Sequence, residues 1–285
     1  MSIHSISHII ASPAALALLY LGYNTLTVRQ YEYSIWMVVP LTVLVLIYLF
    51  KPQLDYWYHL KYPIKFDPEL GEFLKRNNKF YASLEGEEKT KFETRMNLYM
   101  EAREFKAIGA QEQRDIPYDL RAMLASIPIQ LTMHVKDFLI GDLDRIFLYK
   151  HPFPTPSMQF LHTIETHTED GVLIFALDAY EAAEKVPTEY YHVLWYGFVD
   201  AFLKISKADT SKLEKYAVFG NIEQIAGFPE SNILRITGLK AVDPLVILIS
   251  LYFTHKQEMQ EKSPDIYLEM SEFFSPIIKG SKQVA

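Results

Sequence analysis

The segment YYHVLWYGFVD, residues 190–200, says more about the fold of this chain than any other stretch. Its large apolar residues recur at helical spacing, and the same pattern predicts a helix over 189–206. A helix with so many aromatic and aliphatic side chains has too little polar surface to lie in water. The simplest interpretation of the aromatic run is therefore core packing, with His192, Tyr196 and Asp200 forming one stripe along the helix.

Composition restricts the class of protein. The 285 residues are enough for one sizeable domain with appendages. The net charge of −7 and the lack of a basic tract argue against a nucleic-acid partner. The chain has no cysteine, which excludes disulfides and thiolate metal sites. Mean hydropathy is +0.00, less polar than expected of a soluble domain, so we predict that part of the chain lies in lipid.

Two N-terminal segments, 7–23 and 34–50, are apolar and contain no Asp, Glu, Lys or Arg. Each is at the short end of the length that spans a bilayer as a helix. They predict that residues 1–63 form a membrane anchor of two transmembrane helices and a linker. The alternatives are a single span, or a first segment that is a buried helix or a signal peptide. A signal peptide fits poorly, because no Lys or Arg precedes the segment and no small-residue cleavage site follows it.

Flanking charges predict the orientation of this anchor. Lys51, Lys61 and Lys65 follow the second segment, whereas the loop between the segments carries one Arg and one Glu. The positive-inside rule then places both ends of the hairpin and the C-terminal domain in the cytoplasm. We therefore expect a multi-pass protein of the cytoplasmic (inner) membrane.

Residues 64–285 are predicted to form one α+β domain, mainly helical with a small sheet. Asp67, Pro68 and Glu69 have the pattern of a helix start: an N-cap, a proline in the first position and an acidic first turn. The helices are predicted at 67–77, 87–105, 117–135, 178–185, 189–206, 212–219, 241–256 and 264–274. Short β-branched and aromatic runs bounded by turn residues predict strands at 145–149 and 171–176.

The order of these segments resembles the Mlc titration factor A family of zincin-like metallopeptidases. The resemblance covers residues 68–274 and leaves the N-terminal hairpin outside. It implies a zincin-like fold in which 171–178 is the edge strand beside the metal-binding helix, and it implies protein partners. It rests on FLKRN at 73–77, MEAREFKAIG at 100–109, the segment 116–131, RIFLY at 145–149 followed by PF at 152–153, GVLIFALD at 171–178 and HVLWYGFVDAF at 192–202.

The chain departs from the family at the residues that carry its chemistry. A zincin helix holds zinc with the two histidines of His-Glu-x-x-His and uses the glutamate as general base. The resemblance puts Tyr196, Gly197 and Asp200 at these positions. It places the third ligand within 250–253 (SLYF), where no residue is an ordinary zinc ligand. A catalytic zinc needs about three protein ligands, so we predict no catalytic residue, no zinc and no other cofactor.

Four residues remain as weak candidates for a metal site: His162, His167, His192 and Asp200. On an extended strand His162 and His167 would point to opposite faces, and a polar edge strand or loop is the simpler interpretation. His192 and Asp200 lie two helical turns apart, about 12 Å along the axis, which is too far for one metal.

Three functions stay open at this stage. The first is a membrane-anchored, peptidase-like protein that has lost zinc and catalysis and binds another protein or serves as a scaffold. The second is an active zinc peptidase whose ligands are substituted or misaligned, and the third is a structural protein of membrane assembly. If a binding cleft persists, it would involve Trp195, Tyr196, Phe198 and Asp200. The sequence does not give the oligomeric state.

Overall fold

The computed structural model describes residues 6–29, 31–109 and 116–275. The chain divides into two compact units, 1–65 and 66–285. Of the described residues 63% are helical, and the sheet among them has four strands in mixed orientation, which gives the α+β fold that the sequence predicts.

The first unit is made of helices α1 Ile6–Leu26, α2 Tyr33–Trp36, α3 Val38–Leu49 and α4 Lys51–Lys61. In the described part of the chain, α1 is the one continuous helix long and apolar enough to cross a membrane. A second span exists only if 33–49 and Gln53–Lys61, bent by 68°, count as one. The prediction of two spans is thus supported in part. Pro40 accounts for the break after Trp36, because its ring clashes with the carbonyl four residues earlier.

A buried polar contact fastens α4 to the beginning of α1. The Asp55 carboxylate accepts hydrogen bonds from the Ser7 backbone N–H and from the Ser7 hydroxyl, both at 3.1 Å. A carboxylate at this place satisfies an amide that the first helical turn leaves without a partner and complements the helix dipole. The outward-facing residues of α1 and α3 are largely apolar and exposed, for example Leu19 at 71% and Val38 at 61%.

The second unit surrounds the sheet with helices. Before and between the strands lie α5 Pro68–Asn77, α6 Lys79–Ser83, α7 Gly86–Ala102 and α8 Tyr118–Leu131. The strands are β1 Glu104–Ile108, β2 Arg145–Tyr149, β3 Ile164–His167 and β4 Val172–Ala176. The helices after the sheet are α9 Leu177–Lys185, α10 Val193–Ser206, α11 Ser211–Glu214, α12 Phe219–Ala226, α13 Glu230–Thr237, α14 Pro244–Thr254, α15 Lys256–Lys262 and α16 Pro264–Phe273.

The sheet order is β1-β2-β4-β3, with β3 antiparallel to β4 and the other neighbours parallel. The expectation that the segment 171–178 is the edge strand is therefore wrong: β4 is interior and β3 forms the edge. The physical reason is composition. β4 (VLIFA) is apolar on both faces and is largely buried, whereas β3 (IETH) carries the polar residues that an edge tolerates.

Strand β1 was also not expected, because the sequence predicts helix up to residue 105. Helix α7 ends at Ala102 instead. The next residue, Arg103, is buried and donates from Nη2 to the carbonyls of Leu139 (2.7 Å) and Gly141 (2.8 Å). This long-range anchor redirects the chain into β1, and no local sequence signal reveals it.

The domain core lies between one face of the sheet and helix α10. The inward residues on β2 and β4, Ile146, Leu148, Leu173 and Phe175, are all buried. Alternation along the strands turns Phe147 and Ile174 to the other face, where they are only half-buried. The sheet therefore positions α10, and α10 carries the candidate site.

Candidate functional site

Helix α10 begins at a histidine cap. The Nδ1 atom of His192 accepts from the Trp195 backbone N–H at 3.5 Å, and its Nε2 atom lies 3.0 Å from Glu184 Oε1. The hydrogen-bond pattern assigns the proton to Nε2, because Nδ1 acts as the acceptor. The Tyr180 ring packs edge-on against the imidazole, with centroids 5.5 Å apart. Both nitrogens of this metal candidate thus have protein partners, and the side chain serves as the helix N-cap.

Gly197 marks the closest approach of α10 to the sheet. A Cβ atom at this position would lie 2.7 Å from Ile164 Cδ1 on β3 and 2.7 Å from Leu173 Cδ1 on β4. Both of these side chains are buried in the core. The side chains of Ile164 and Leu173 therefore occupy the space that a general-base glutamate at position 197 would need. The glycine allows the helix and the sheet to pack in direct contact.

Tyr196 links α10 to the beginning of α14. Its ring is 8% exposed, and its hydroxyl accepts from the Asp243 backbone N–H at 3.2 Å. The Asp243 carboxylate in turn caps α14 by accepting from Leu245 N–H at 2.8 Å. Burial is the main cause that raises the pKa of the Tyr196 phenol to about 12. The side chain is therefore a neutral phenol at physiological pH, and its oxygen accepts a hydrogen bond from the backbone of Asp243.

Asp200 is the acidic group of the α10 stripe. Its carboxylate lies 2.8 Å from Lys204 Nζ, one turn further along the helix, and it is hydrogen-bonded by Thr166 of β3. Burial raises its pKa, the lysine opposes that shift, and the nearby Asp243 charge adds to it. The net effect is a pKa above the ordinary value of an aspartate. With its side chain 14% exposed, Asp200 remains in contact with solvent.

The window predicted to hold a third ligand, 250–253, lies on α14 and packs against α10. Phe253 stacks on Trp195 with centroids 4.6 Å apart and ring planes 10° apart. Ser250 is fully buried and donates its hydroxyl to the Val246 carbonyl at 2.7 Å. Phe198 is also fully buried. Of the residues proposed for a cleft, Trp195, Tyr196 and Phe198 are thus mainly packed inside, and Asp200 is the most accessible.

The expectation that His162 and His167 point apart is wrong. Both Nε2 atoms reach the same buried carboxylate: His162 lies 3.1 Å from Glu165 Oε2, and His167 lies 2.7 Å from Glu165 Oε1. The strand begins only at Ile164, after a bend at Thr163. The Thr163 hydroxyl and N–H bond to the end of α13, and this turns the chain so that strand alternation does not extend to His162.

These two histidines therefore use Nε2 for a carboxylate contact. Across the residues that the structure describes, no group of three or more His, Asp or Glu side chains is arranged to hold a metal ion. Burial alone would raise the pKa of Glu165, but bonds from Ser157, Thr155 and His162 and the charge of His167 together lower it.

Sequence reasoning missed the partners of the site residues. The Asp200–Lys204 pair could have been predicted, because an acidic and a basic residue four positions apart on a helix can form an ion pair. Asp243 before Pro244 is likewise a visible helix start. The contacts of Thr166 with Asp200 and of Asp243 with Tyr196 join segments more than 30 residues apart, and no spacing predicts them.

Comparison with known proteins adds no assignment. No protein-family model matches the chain, and no curated protein matches it. The function must therefore be argued from the site itself.

Proposed function

We propose that this chain is a membrane-anchored, zincin-like protein that has lost zinc binding and catalysis and acts as a protein-binding or scaffold module on the cytoplasmic face. The observation that carries the proposal is the close approach at Gly197. The position that the family resemblance assigns to the general base is occupied by packing against Ile164 and Leu173. A glycine has no group that can move a proton, and a larger side chain has no room there.

The remaining ligand positions support the same conclusion. Tyr196 holds the start of α14 through its hydroxyl, and Asp200 is paired with Lys204. A catalytic zinc needs about three ligands and an open position for water. Asp200 is the only ordinary zinc ligand among the positions that the resemblance assigns, and one carboxylate does not make a zinc site.

The adjacency of α10 and α14 favours a zincin-like ancestry. The resemblance assigns the third ligand to residues 250–253, far from α10 in sequence. The Trp195–Phe253 stack holds these two segments together. We infer that α10 and α14 keep the arrangement that a zincin metal site requires, and that aromatic side chains are packed where the ligand atoms would be.

The anchor rests on helix α1. Its 21 residues extend about 30 Å, which matches the hydrocarbon core of a bilayer. The bent pair formed by 33–49 and Gln53–Lys61 would return the chain to the same side. Lys61, the last residue of this pair, and Lys65 then lie on that side, and the positive-inside rule favours the cytoplasm.

Asp200 indicates the chemistry of the partner. Burial is the main cause that raises its pKa, and Lys204 is the one cation among the groups that lower it. A partner that brings a lysine or arginine to this carboxylate would stabilise its ionised form, as in a charge-assisted hydrogen bond. We therefore propose that the binding surface is centred on Asp200 and that the partner presents a basic side chain.

The proposal is tested by photo-crosslinking in the native membrane. A photoreactive amino acid replaces Lys204, whose side chain is 55% exposed, and the control carries it at Lys185 on α9, whose side chain is 72% exposed. We expect a discrete crosslinked protein only from position 204, and we expect its loss when Asp200 is replaced by lysine. Zinc-stimulated peptide hydrolysis by the purified full-length chain, abolished in Asp200→Ala, would refute the proposal and establish the peptidase alternative.

A further inference from the structure

Strand β1 forms the second edge of the sheet, and half of its backbone groups point away from the sheet. The Glu104 N–H donates to the Asp144 carbonyl at 2.8 Å, so the even-numbered residues of β1 turn their N–H and C=O groups toward β2. Phe105 and Ala107 alternate with them and turn theirs outward. Among the residues that the structure describes, no group forms a hydrogen bond with the backbone of these two residues. β1 therefore presents a short row of free donors and acceptors.

This edge is accessible and is held in a fixed conformation. Phe105 and Ala107 are half-buried, and Glu104 is exposed. Arg121 of α8 supports the strand from one face: its guanidinium carbon lies 5.5 Å from the centroid of the Phe105 ring, and its Nη2 donates to the Met100 carbonyl at 2.9 Å. A strand that is already fixed in this way can accept a further strand at its edge with little loss of conformational freedom.

Glu104 and Lys106 place opposite charges on one face of this edge strand. The two residues are two positions apart, so their side chains leave the strand on the same face. Neither forms an ion pair with another residue in the described part of the chain. The neighbour of Glu104 in the sheet is Arg145 of β2, but this arginine pairs with Asp144 at 3.3 Å. A strand that binds at this edge can therefore also compensate two charges.

A second copy of β1 matches both the free bonds and the charges in one antiparallel register. With Phe105 opposite Phe105 of the second copy, these two residues exchange both of their backbone hydrogen bonds. On either side of this pair, the Ala107 N–H can donate to the Arg103 carbonyl of the other copy. Glu104 then lies opposite Lys106 of the other copy at both ends of the pairing. These are the closely spaced pairs without backbone hydrogen bonds, in which facing side chains interact most strongly.

The neighbouring registers are unfavourable. Sliding one copy by two residues in one direction places Lys106 opposite Lys106, and sliding it in the other direction places Glu104 opposite Glu104. Like charges that face each other directly destabilise an antiparallel pair. Sliding by a single residue sets the outward-pointing backbone groups of one copy against residues whose groups point inward, so the hydrogen bonds are not formed. The charges and the backbone together therefore select the register that is centred on Phe105.

We propose that two copies of this chain pair edge to edge through β1 and join their four-stranded sheets into one continuous sheet across a two-fold axis. The interface is closed, because each β1 has one free edge and the pairing uses it on both copies. A lysine in the middle of an edge strand normally discourages the addition of another strand. Glu104 of the second copy compensates Lys106, so the strand accepts its own copy and disfavours a strand that lacks an acidic residue at this position.

Cysteine crosslinking in isolated membranes tests the register, because the natural chain contains no cysteine. Full-length Glu104→Cys and Lys106→Cys chains are expressed together with different epitope tags and treated with a mild oxidant. We expect a disulfide-linked heterodimer, since facing residues of an antiparallel pair lie within the reach of a disulfide, and the other Glu104–Lys106 pair is retained. Either variant alone should crosslink poorly, because its two cysteines would be diagonal neighbours roughly 7–8 Å apart. Exposed Val218→Cys is the control for random collision.

Charge reversal tests the complementarity by sedimentation of the full-length chain in detergent micelles, where each chain contributes 33.1 kDa of protein. Glu104→Lys and Lys106→Glu should each raise the dissociation constant of the dimer about tenfold, because both cross-strand charge pairs become repulsive. An equimolar mixture of the two variants should recover the dimer, since one strand then carries two lysines and the other carries two glutamates. A variant that merely fails to fold is not recovered by mixing, and melting temperatures of the separate variants check their folding.

Three results would overturn the proposal. The first is a heterodimer crosslink no stronger than that of Val218→Cys, or a stronger crosslink in either single variant. The second is a wild-type chain that sediments with the mass of one chain at every concentration. The third is a dimer that neither charge reversal weakens, since the two copies would then meet through another surface.

Discussion

The close approach of α10 to the sheet predicts an unusual response to Gly197→Ala. Alanine in a helix interior is normally favoured over glycine by about 1 kcal/mol. At position 197 the added methyl group would meet Ile164 Cδ1 and Leu173 Cδ1 at 2.7 Å. An ordinary contact needs at least 3.4 Å, so two buried side chains must each move by roughly 0.7 Å or more.

The magnitude follows from the two opposing effects. Overpacking of a filled core costs about 1–3 kcal/mol, which outweighs the gain in helix propensity. Gly220 in α12 is the matched control, because a Cβ atom there has nothing within 4 Å. Gly220→Ala should leave stability unchanged or raise it by up to about 1 kcal/mol. The difference between the two variants isolates the overpacking effect, and we expect it to be about 1–3 kcal/mol.

Urea unfolding of the full-length chain in detergent measures this difference. Trp36→Phe and Trp57→Phe leave Trp195, which stacks on Phe253, as the one tryptophan in the sequence and as a reporter inside the second unit. Gly197→Glu in the same background should fail to fold stably, because an ionised carboxylate would be buried among aliphatic side chains. A Gly197→Ala protein as stable as Gly220→Ala would refute the reasoning.

Three further predictions follow from the same contacts. Phe198→Ala should destabilise the fold by about 3–5 kcal/mol, since its ring is fully buried; exposed Val218→Ala is the control, and an equal midpoint for both would contradict this. Asp200→Asn should cost little at neutral pH. Because the folded-state pKa of Asp200 is raised above 3.8, the wild type should lose some stability as pH rises through that pKa, and the variant should not show this loss; thermal melts across pH measure the difference. Reporter fusions after Lys65 should give a cytoplasmic signal, and an external signal there would contradict the orientation.

Local sequence signals predicted several elements well. The Asp67-Pro68-Glu69 pattern marks the beginning of α5, where the Asp67 carboxylate accepts from the Glu69 N–H at 3.0 Å. The runs at 145–149 and 171–176 became β2 and β4. In these cases the determinants lie within a few residues of one another, as capping and strand propensity require.

The sequence did not predict the strands that depend on distant contacts. β1 exists because Arg103 is held by carbonyls of residues 139 and 141, beyond the next helix. β3 is short and polar, and it is a strand because β4 offers it an edge. A pattern read over ten residues cannot contain such information, since tertiary contacts override local propensity.

The sequence predicted the helix that carries the candidate residues, but it did not predict what surrounds them. Tyr196, Gly197 and Asp200 do lie on the central helix of the domain. The sequence did not reveal that β3 and β4 pack directly against residue 197. It also did not reveal that both neighbouring histidines contact the Glu165 carboxylate. Each of these contacts depends on how the edge strand is turned before it enters the sheet.

The zinc content of the full-length chain tests the central claim most directly. The protein is purified in detergent without chelator and without a metal-affinity step, and its zinc is measured by mass spectrometry beside its melting temperature with and without EDTA. We expect far less than one zinc per chain and no change in melting temperature, because a metal bound only to the native state would raise it. One zinc per chain with a lower melting temperature in EDTA would contradict the loss of the metal site.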